Sequence, residues 1–204
     1  MTSSTYCWTV STRAETAAAT RRALLDAAEV LLDAGGPDAV TLREVGARAG
    51  VSRSAPYRHF ADKESLLMAI AAGGWNELGD SLQMIASMDT VAESRLRRAL
   101  IALVSVGRRR PHLYRLMFAT PSGDPAAAVR AALHTQELFV HIVAGVVGDE
   151  RAWSYAGMLL TSAHGVTDLE LSGHLVEDKW PRAEAVVDLL IGLLPEAAHA
   201  AENG

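Results

Sequence analysis

Residues 41–60 read TLREVGARAGVSRSAPYRHF, and this stretch carries the strongest structural signal of the chain. Thr41, followed three residues later by Glu44, matches a capping box and predicts a short helix that Gly50 closes. Ser52 is expected to be the N-cap of a second short helix that ends near residue 59. Two short helices joined by a glycine-containing turn are typical of a helix-turn-helix, whose second helix reads DNA.

Pro56 lies inside this second helix and is unusual there, because proline lacks the backbone N–H that continues a helix. If Ser52 is the cap, Pro56 falls at the edge of the first turn, where the lost hydrogen bond matters least. We therefore expect the helix to be distorted but present. Leu42, Val45 and Val51 are expected to pack between the two helices.

Helices are also predicted on both sides of this stretch. The first runs from about Glu15 to Ala34, where Gly-Gly-Pro at 35–37 stops it, since glycine accepts the left-handed conformation and proline resists continuation. After the stretch, Asp62 is the expected N-cap of a further helix with a buried apolar stripe. This helix is expected to reach Ile85, with a possible bend at the glycine pair 73–74.

The remainder of the chain is also expected to be helical. A second capping box, Thr90 with Glu93, predicts the start of the next helix. Further helices are expected at Val91–Arg110, 112–119, Ala126–Val147, Glu150–Ser172 and Pro181–Leu194. Good helix formers dominate the composition, which is 50% hydrophobic and only 5% aromatic. The predicted fold is all-α with about nine helices.

Four segments are expected along the chain. They are a flexible N-terminal arm at 1–14, a three-helix DNA-binding domain at 15–64, a helical C-terminal domain at 65–198, and a frayed tail at 199–204. The arm is either native or the result of an incorrectly assigned start codon.

Charge is distributed unevenly. The net charge is −5, yet residues 41–63 carry five basic and two acidic side chains, so 5 − 2 = +3 and the remainder sums to −8. A basic segment on an acidic body favours a DNA-reading module with a separate regulatory part. The alternative is a solvated charged face with no partner.

The sequence points to a cytoplasmic protein. The apolar runs 138–147 and 185–194 are too short to cross a bilayer. The N-terminus has no basic start followed by an apolar block, so no secretion signal is expected. Cys7 is the only cysteine, which fits a reducing compartment and leaves no internal disulfide.

The whole ordered pattern of residues 20–67 resembles the DNA-binding domain of the TetR family of regulators. The features are an opening helix ending in glycine, a threonine that starts the second helix, AGVS at the turn, YRHF at the end of the reading helix and DKES at the next helix start. Downstream, RRRPHLYRLMF and AHGVTDLELSG are similar to the C-terminal domain of the TetR subgroup named for a Trp and a His-Gly pair. Those residues are here Trp153 and His164–Gly165.

The resemblance implies a DNA-binding transcriptional regulator, by analogy a repressor, with nine residues at the DNA. These residues are Thr41, Arg43, Ser52, Arg53, Ser54, Tyr57, Arg58, His59 and Lys63. Phosphate contacts position a protein on the duplex, whereas base contacts carry the sequence information. Thr41 and Lys63 are assigned to phosphates, and Tyr57 and His59 to backbone oxygens at the end of the reading helix.

Arg53 and Ser54 are best placed for base edges, since they stand at the N-terminal turn of the reading helix. A guanidinium can bind both acceptors of guanine, which is worth about 1–3 kcal/mol of discrimination. Arg43 and Arg58 are expected at either phosphates or bases. The pair 21–22, both arginines, would reach the DNA backbone or a minor groove.

Structural roles compete with these assignments. Phe60 is expected to be core only, and Tyr57 is either core or a DNA contact. His59 is either a structural cap or a contact, while the capping role of Thr41 does not exclude a phosphate contact. Arg53 has no obvious structural task, so its functional interpretation is favoured.

The C-terminal part is expected to form a dimer and to hold a small effector. A dimer reads two half-sites about 34 Å apart on a palindromic operator. The predicted dimer residues are Leu159, Leu160, Val166, Leu169, Val186, Val187, Leu190 and Leu194. The predicted pocket residues are Trp75, Met84, Met88, Tyr114, Met117, Phe118, Phe139, Trp153 and His164. An apolar lining favours a hydrophobic effector, while internal packing is the alternative for both sets.

Two other classes of protein are alternatives to a DNA-binding regulator. An α-helical enzyme is disfavoured, because the sequence contains no HExxH, CxxC, Gly-rich phosphate loop or Gly-x-Ser-x-Gly. No cofactor or metal is expected. A helical ligand-binding adaptor without DNA binding is the other alternative, and an intact set of DNA-contacting residues speaks against it.

Overall fold

The computed structural model describes residues 12–120, 125–175 and 179–195, which form helices and no strand. The helices are α1 (Arg13–Ala39), α2 (Leu42–Arg48), α3 (Ala55–His59), α4 (Lys63–Ala86), α5 (Ala92–Arg109), α6 (Pro111–Phe118), α7 (Ala126–Val147), α8 (Asp149–Leu171) and α9 (Ala183–Gly192). The all-α prediction is confirmed. Most of the predicted arm and the tail at 199–204 lie outside the described residues.

The first helix begins inside the segment that we expected to be an arm. Thr12 and Glu15 form a reciprocal capping box, in which Oγ1 of Thr12 accepts from the Glu15 N–H at 3.2 Å. Gly35 leaves the helical region, and Gly36 has a φ of 70°, so the regular helix ends at the predicted place. A further helical turn at 37–39 follows this break.

The start of each of the next two helices differs in detail from the prediction. Oγ1 of Thr41 accepts from the Glu44 N–H at 3.1 Å, as a capping threonine should. The Glu44 carboxylate binds Arg43 at 3.0 Å, so only half of the expected capping box forms. The N-cap of α3 is Ser54 and not Ser52, because the Ser52 carbonyl accepts from the Ala55 N–H in the preceding turn.

Pro56 is therefore in the first turn of α3, where its missing N–H leaves no hydrogen bond unmade. Gly50 has a φ of 67°, the left-handed conformation that ends α2 and starts the turn. The two helices are short and rigidly placed, as a helix-turn-helix requires.

The fourth helix is continuous across the predicted bend. Asp62 and Ser65 form a reciprocal cap at its start. Gly74 serves close packing and not bending, since a Cβ there would lie 2.8 Å from Sδ of Met117 in α6. The predicted second capping box is wrong: the N-cap of α5 is Val91, so Thr90 lies one residue too early to cap.

The C-terminal helices surround α5, which contacts α4, α6, α7, α8 and α9. Its inward face carries Leu96, Leu100 and Leu103, all buried. One close approach fixes α8 against α5, because a Cβ on Gly107 would lie 2.5 Å from Cγ2 of Thr167. In the described part of the chain no single helix is long and apolar enough to cross a membrane; α7 and α8 pass that test only as a pair bent by 117°.

Candidate nucleic-acid interface

The reading helix α3 has a buried side and an exposed side. Ala55 and Pro56 are buried against the rest of the domain, whereas Tyr57 and Arg58 point to solvent. The Tyr57 side chain is 60% exposed, which excludes the core alternative and leaves its hydroxyl free for a partner.

The turn before α3 is exposed as well. Ser52, Arg53 and Ser54 are all solvent-exposed, and the two serine hydroxyls are 3.4 Å apart. Within the described ranges, neither Arg53 nor Arg58 forms an ion pair. Two unneutralised guanidiniums thus lie next to hydroxyl groups on one exposed surface.

Two helix starts lie beside the reading helix. Thr41 is the exposed N-cap of α2, and Lys63 is the half-buried first residue of α4. The partial positive charge of a helix N-terminus favours an anion there. His59, at the end of α3, is half-buried, and Arg43 is engaged by Glu44.

The reading helix is fixed from behind by two contacts that the sequence did not reveal. A Cβ on Gly46 of α2 would lie 2.8 Å from Cγ of Pro56, so the two helices cross at the smallest possible separation. Phe60 is 4% exposed, which confirms the prediction that it is core. The Arg21 guanidinium lies over the Phe60 ring at 5.1 Å, a cation–π contact between α1 and the end of α3.

A small apolar cavity lies within the C-terminal helices, about 30 Å³ in volume. Trp75 and Phe139, two of the predicted pocket residues, line it. Thr135 also borders the cavity, and its single hydroxyl proton is shared between the carbonyls of Trp75 and Ala131, at 2.8 and 2.9 Å. Gln136 is the other polar residue beside the cavity, whose inner surface is almost entirely apolar.

Four other predicted pocket residues form an aromatic cluster beside the cavity: Tyr114, Met117, Phe118 and His164. The Tyr114 hydroxyl and Nδ1 of His164 are 2.7 Å apart, and the Phe118 and His164 rings are stacked at 4.2 Å. The Trp75 indole donates to the Met117 carbonyl at 3.2 Å, which links the cluster to the cavity wall. Burial raises the pKa of Tyr114 to about 12, so its hydroxyl stays protonated.

Three predicted pocket residues do not line this cavity. Met84, Met88 and Trp153 are 63%, 40% and 64% exposed. Their side chains point outward from α4, the following turn and α8, so none of the three lines this cavity, and their part in an effector site stays a prediction. Sequence spacing misled here because a large apolar residue was assumed to face inward.

The predicted dimer residues also need correction. Leu159, Val166 and Val187 are buried inside this chain's own core, so they have no surface to offer a partner. Leu160, Val186, Leu190 and Leu194 are half-buried, and of the predicted set only Leu169 is largely exposed. Trp153 on α8 is exposed, and the other large exposed apolar side chains of this region are Met158, Leu169, Leu189 and Leu193, the last of which is the C-cap of α9.

An ionic cluster connects the two parts of the molecule, and the sequence analysis did not identify it. Arg110, at the α5–α6 junction, contacts Glu29 and Asp33 of α1 at 2.9 Å each, and Glu77 of α4 at 3.9 Å. Burial raises the pKa of Glu29 although Arg110 acts in the opposite direction. The available signal was the acidic pair one helical turn apart on α1. We call these four residues the interdomain cluster.

An exposed reading helix fixed behind a close helix crossing, joined by α4 to a domain with an apolar cavity, defines a helix-turn-helix transcriptional regulator. Residues 24–70 match the family described as bacterial regulatory proteins, tetR family. Residues 96–194 match the tetracyclin repressor-like C-terminal domain. The chain belongs to the TetR family of DNA-binding transcriptional regulators. Membership in the Trp/His-Gly subgroup stays a prediction.

Several solved structures have the same fold. A protein of unknown function from Rhodococcus sp. RHA1 is 31% identical, with a TM-score of 0.72, over 86% of this chain and 95% of that one. A TetR-like transcriptional regulator from the same organism is 19% identical, with a TM-score of 0.60, over 86% and 93%. The regulator FadR from Bacillus subtilis, solved with stearoyl-CoA, is 12% identical, with a TM-score of 0.59, over 84% and 96%. No curated protein sequence matches the chain.

Proposed function

We propose that this regulator is a homodimeric repressor that binds a palindromic operator and is released by a small apolar effector in the cytoplasm. One observation carries the DNA-binding part: Arg53, Tyr57 and Arg58 are exposed around a reading helix whose opposite side is packed. The matched family consists of regulators, which points away from catalysis.

The roles of the individual residues follow from their positions. Arg53 and Ser54 precede the first turn of the reading helix, so they would meet base edges when α3 enters the major groove. Thr41 and Lys63 stand at the starts of flanking helices, where a phosphate oxygen would meet free N–H groups. Tyr57 would donate its exposed hydroxyl to a phosphate.

The test is fluorescence anisotropy with the DNA upstream of the protein's own gene, measured across a salt series. Arg53→Ala is expected to relax sequence preference, and Lys63→Ala to weaken all sequences and reduce the salt slope by about one. Arg130→Ala, an exposed arginine on α7, is the matched control and should change neither quantity. Complete absence of salt-dependent DNA affinity would contradict DNA binding and favour the adaptor alternative.

The effector part of the proposal is supported by the apolar lining of the cavity. Its volume of about 30 Å³ is far below the range of about 300–1,000 Å³ for small-molecule sites, so the surrounding helices must move apart to admit an effector. An apolar molecule matches this lining. The Bacillus subtilis neighbour is in complex with stearoyl-CoA, so a related fold accepts an apolar chain.

Helix α4 connects the cavity to the DNA-binding domain, so ligand binding at the cavity would act on DNA binding through this helix. Its first residue is Lys63, and three turns or more later Trp75, Leu78 and Leu82 line the cavity. A ligand that binds one position of α4 better than another shifts the spacing of the two reading helices, and the shift is set by its differential affinity.

Cavity filling tests this assignment. Leu103→Phe places extra volume into the cavity and is expected to abolish thermal stabilisation by a library of small apolar compounds while leaving DNA binding intact. Leu133→Phe, on an exposed part of α7, is the control and should keep the stabilisation. If the same compounds still stabilise Leu103→Phe against thermal unfolding, the effector binds outside this cavity.

We infer that the dimer uses the exposed stripe of α8 and α9. Met158 and Leu169 are separated by three helical turns on α8, and Leu189 and Leu193 by one turn on α9. Two helices from each subunit would form a four-helix bundle. Leu193→Glu is expected to produce a monomer in analytical ultracentrifugation, whereas Leu133→Glu on α7 should remain a dimer. A monomeric wild-type protein at all concentrations would overturn the interface.

A further inference from the structure

A surface groove runs between α4 and α5 and adjoins the internal cavity at Leu78, a residue that lines both. Its upper part is bordered by Ile85, Met88, Arg98 and Ile101, and its lower part by Gly74, Glu77 and Val106. Both parts share Ala102 and Arg109, so they form one continuous channel. We call it the α4–α5 groove.

The α5 wall of the groove has a regular pattern. Arg98, Ala102, Ser105 and Arg109 are spaced by four, three and four residues and therefore share one helix face. At a rise of about 1.5 Å per residue, the two arginines stand roughly 16 Å apart along the helix. Between them the floor is mixed: Ile85 is buried, Ile101 and Ala102 are half-buried, and Ser105 adds a hydroxyl group.

The arginine charges at the groove are not neutralised by this chain. Arg98 has neither an ion pair nor a hydrogen bond among the described residues, and Arg109 bonds only the Ser105 carbonyl of its own helix, at 3.3 Å. The neighbouring Arg97 is different, because Asp188 of α9 binds it at 2.6 Å. On a chain of net charge −5, two free guanidiniums at an apolar groove are complementary to an external anion.

We propose that the α4–α5 groove binds a free single-chain anionic amphiphile, a molecule with a carboxylate or phosphate head group and an unbranched apolar body. The site goes beyond the proposed function, since neither DNA binding nor the internal cavity requires it. The apolar body lies over Ile101 and Ala102, where burial removes its surface from water. The head group binds Arg98 by charge-assisted hydrogen bonds.

The head group is assigned to Arg98 and not to Arg109, because negative charges surround the lower end of the groove. Arg109 lies beside the interdomain cluster, in which three carboxylates surround the single guanidinium of Arg110. These carboxylates make the lower end less favourable for an anion. The long stem of Arg109 instead covers the apolar body while its charge remains in water.

The experiment is isothermal titration calorimetry of the full chain with decyl phosphate below its critical micelle concentration. Decanol and decyltrimethylammonium, with the same chain length, test whether the negative charge is needed. Of the three compounds, only decyl phosphate is expected to bind, and its affinity should fall as the salt concentration rises. Binding of all three with equal affinity would overturn the proposal.

Variants locate the site. Arg98→Gln is expected to weaken decyl phosphate binding about fivefold and Arg109→Gln about twofold, since exposed charge pairs are individually weak. Ile101→Asp should remove binding, and Arg130→Gln on α7 is the matched control. Unchanged affinity in both Arg98→Gln and Ile101→Asp would overturn the groove.

Two further arms exclude other locations. Leu103→Phe fills the internal cavity and should still bind decyl phosphate, so loss of binding in this variant would assign the ligand to the cavity and overturn the proposal. Cosedimentation with phosphatidylglycerol vesicles is expected to be absent. Vesicle binding without decyl phosphate binding would indicate a membrane surface and would contradict a site for a free amphiphile.

Discussion

Gly46 of α2 and Pro56 of α3 approach so closely that a Cβ on residue 46 would lie 2.8 Å from Cγ of Pro56. Each residue weakens a helix when considered alone. Together they set the crossing of the helix-turn-helix, because the missing side chain admits the proline ring and the ring needs no hydrogen-bond partner. The position of the exposed reading surface therefore depends on a contact behind it.

Gly46→Ala is expected to force α2 and α3 apart and to destabilise the protein by about 1–3 kcal/mol, the usual cost of overpacking. Operator affinity should fall as well, because the reading helix moves relative to α2. Urea unfolding and anisotropy measure the two effects. Gly157→Ala is the control: nothing lies within 4 Å of its Cβ position in α8, so stability should rise slightly.

Pro56→Ala in the Gly46→Ala background removes the ring that the new methyl group meets. The double variant should recover most of the lost stability, a positive coupling that a double-mutant cycle measures. Strictly additive losses would show that the contact does not determine the crossing.

Local sequence signals predicted the helices of this fold but not the contacts between them. The Gly-Gly-Pro stop at 35–37 was predictable because it depends on backbone conformation alone. The Gly46–Pro56 contact and the interdomain cluster join residues 10 or more positions apart, and periodicity carries no information about such pairs. Capping signals were ambiguous where two possible N-cap residues lie close together in the sequence. Ser52 and Ser54 are an example, since either serine could cap α3 and the structure has Ser54.

The exposure of individual apolar residues was the least predictable feature. Helical spacing identifies a stripe, but it does not say which stripe meets the core when several faces are apolar. Trp153 was expected inside and is exposed, whereas Leu159 was expected at a partner and is buried. The residues predicted to contact DNA lie in one short segment, where seven of the nine are exposed and His59 and Lys63 are half-buried. Their contact with DNA stays a prediction.

Two tyrosines allow stability and DNA binding to be separated. Tyr114→Phe removes a buried hydroxyl that is 2.7 Å from Nδ1 of His164, and it is expected to cost about 1 kcal/mol while leaving operator affinity unchanged. Tyr57→Phe removes an exposed hydroxyl, so it should lower operator affinity and leave the melting temperature unchanged. Calorimetry and anisotropy on both variants check the pair, and the reverse pattern would refute both roles.

A charge network attaches α9 to the body of the protein and makes the stability of the protein depend on pH. Arg108 binds both Glu170 of α8 and Glu184 of α9, and the hydrogen bond from Arg108 lowers the pKa of Glu184 to about 2. Because this pKa is below the ordinary value of 4.5, the stabilisation is fully present above about pH 4.5 and is lost as the pH falls toward 2. Glu184→Gln should therefore be less stable than wild type at pH 6 and approach it at pH 2.5.

Chemical unfolding of the two proteins at both pH values measures this convergence. Glu137→Gln, an exposed carboxylate on α7, serves as the control and should show the same difference at either pH. A constant gap between Glu184→Gln and wild type would mean that the lost stability comes from packing and not from the carboxylate charge.

The interdomain cluster is expected to hold the DNA-binding domain in a fixed orientation. Arg110 is 23% exposed and contacts carboxylates of α1 and α4, so Arg110→Met leaves Glu29 and Asp33 without their cation. We expect a loss of about 1–2 kcal/mol, between the values for exposed and buried ion pairs. Arg109→Met provides a control at the adjacent position, because its guanidinium bonds only a carbonyl of its own helix.

A loss of stability alone would not show whether the cluster orients the DNA-binding domain or only stabilises the whole protein. Hydrogen exchange separates the two roles. If the cluster fixes the angle between α1 and the α5–α6 junction, Arg110→Met should increase hydrogen exchange in α1 and in the first turn of α6, where His112 packs against Gly36. Exchange in α8 should stay the same, since the ion pairs of the cluster involve only α1, α4 and the α5–α6 junction. Operator affinity should fall because the two reading helices lose their relative spacing. Uniformly faster exchange over all helices would indicate global destabilisation, and the cluster would then have no orienting role.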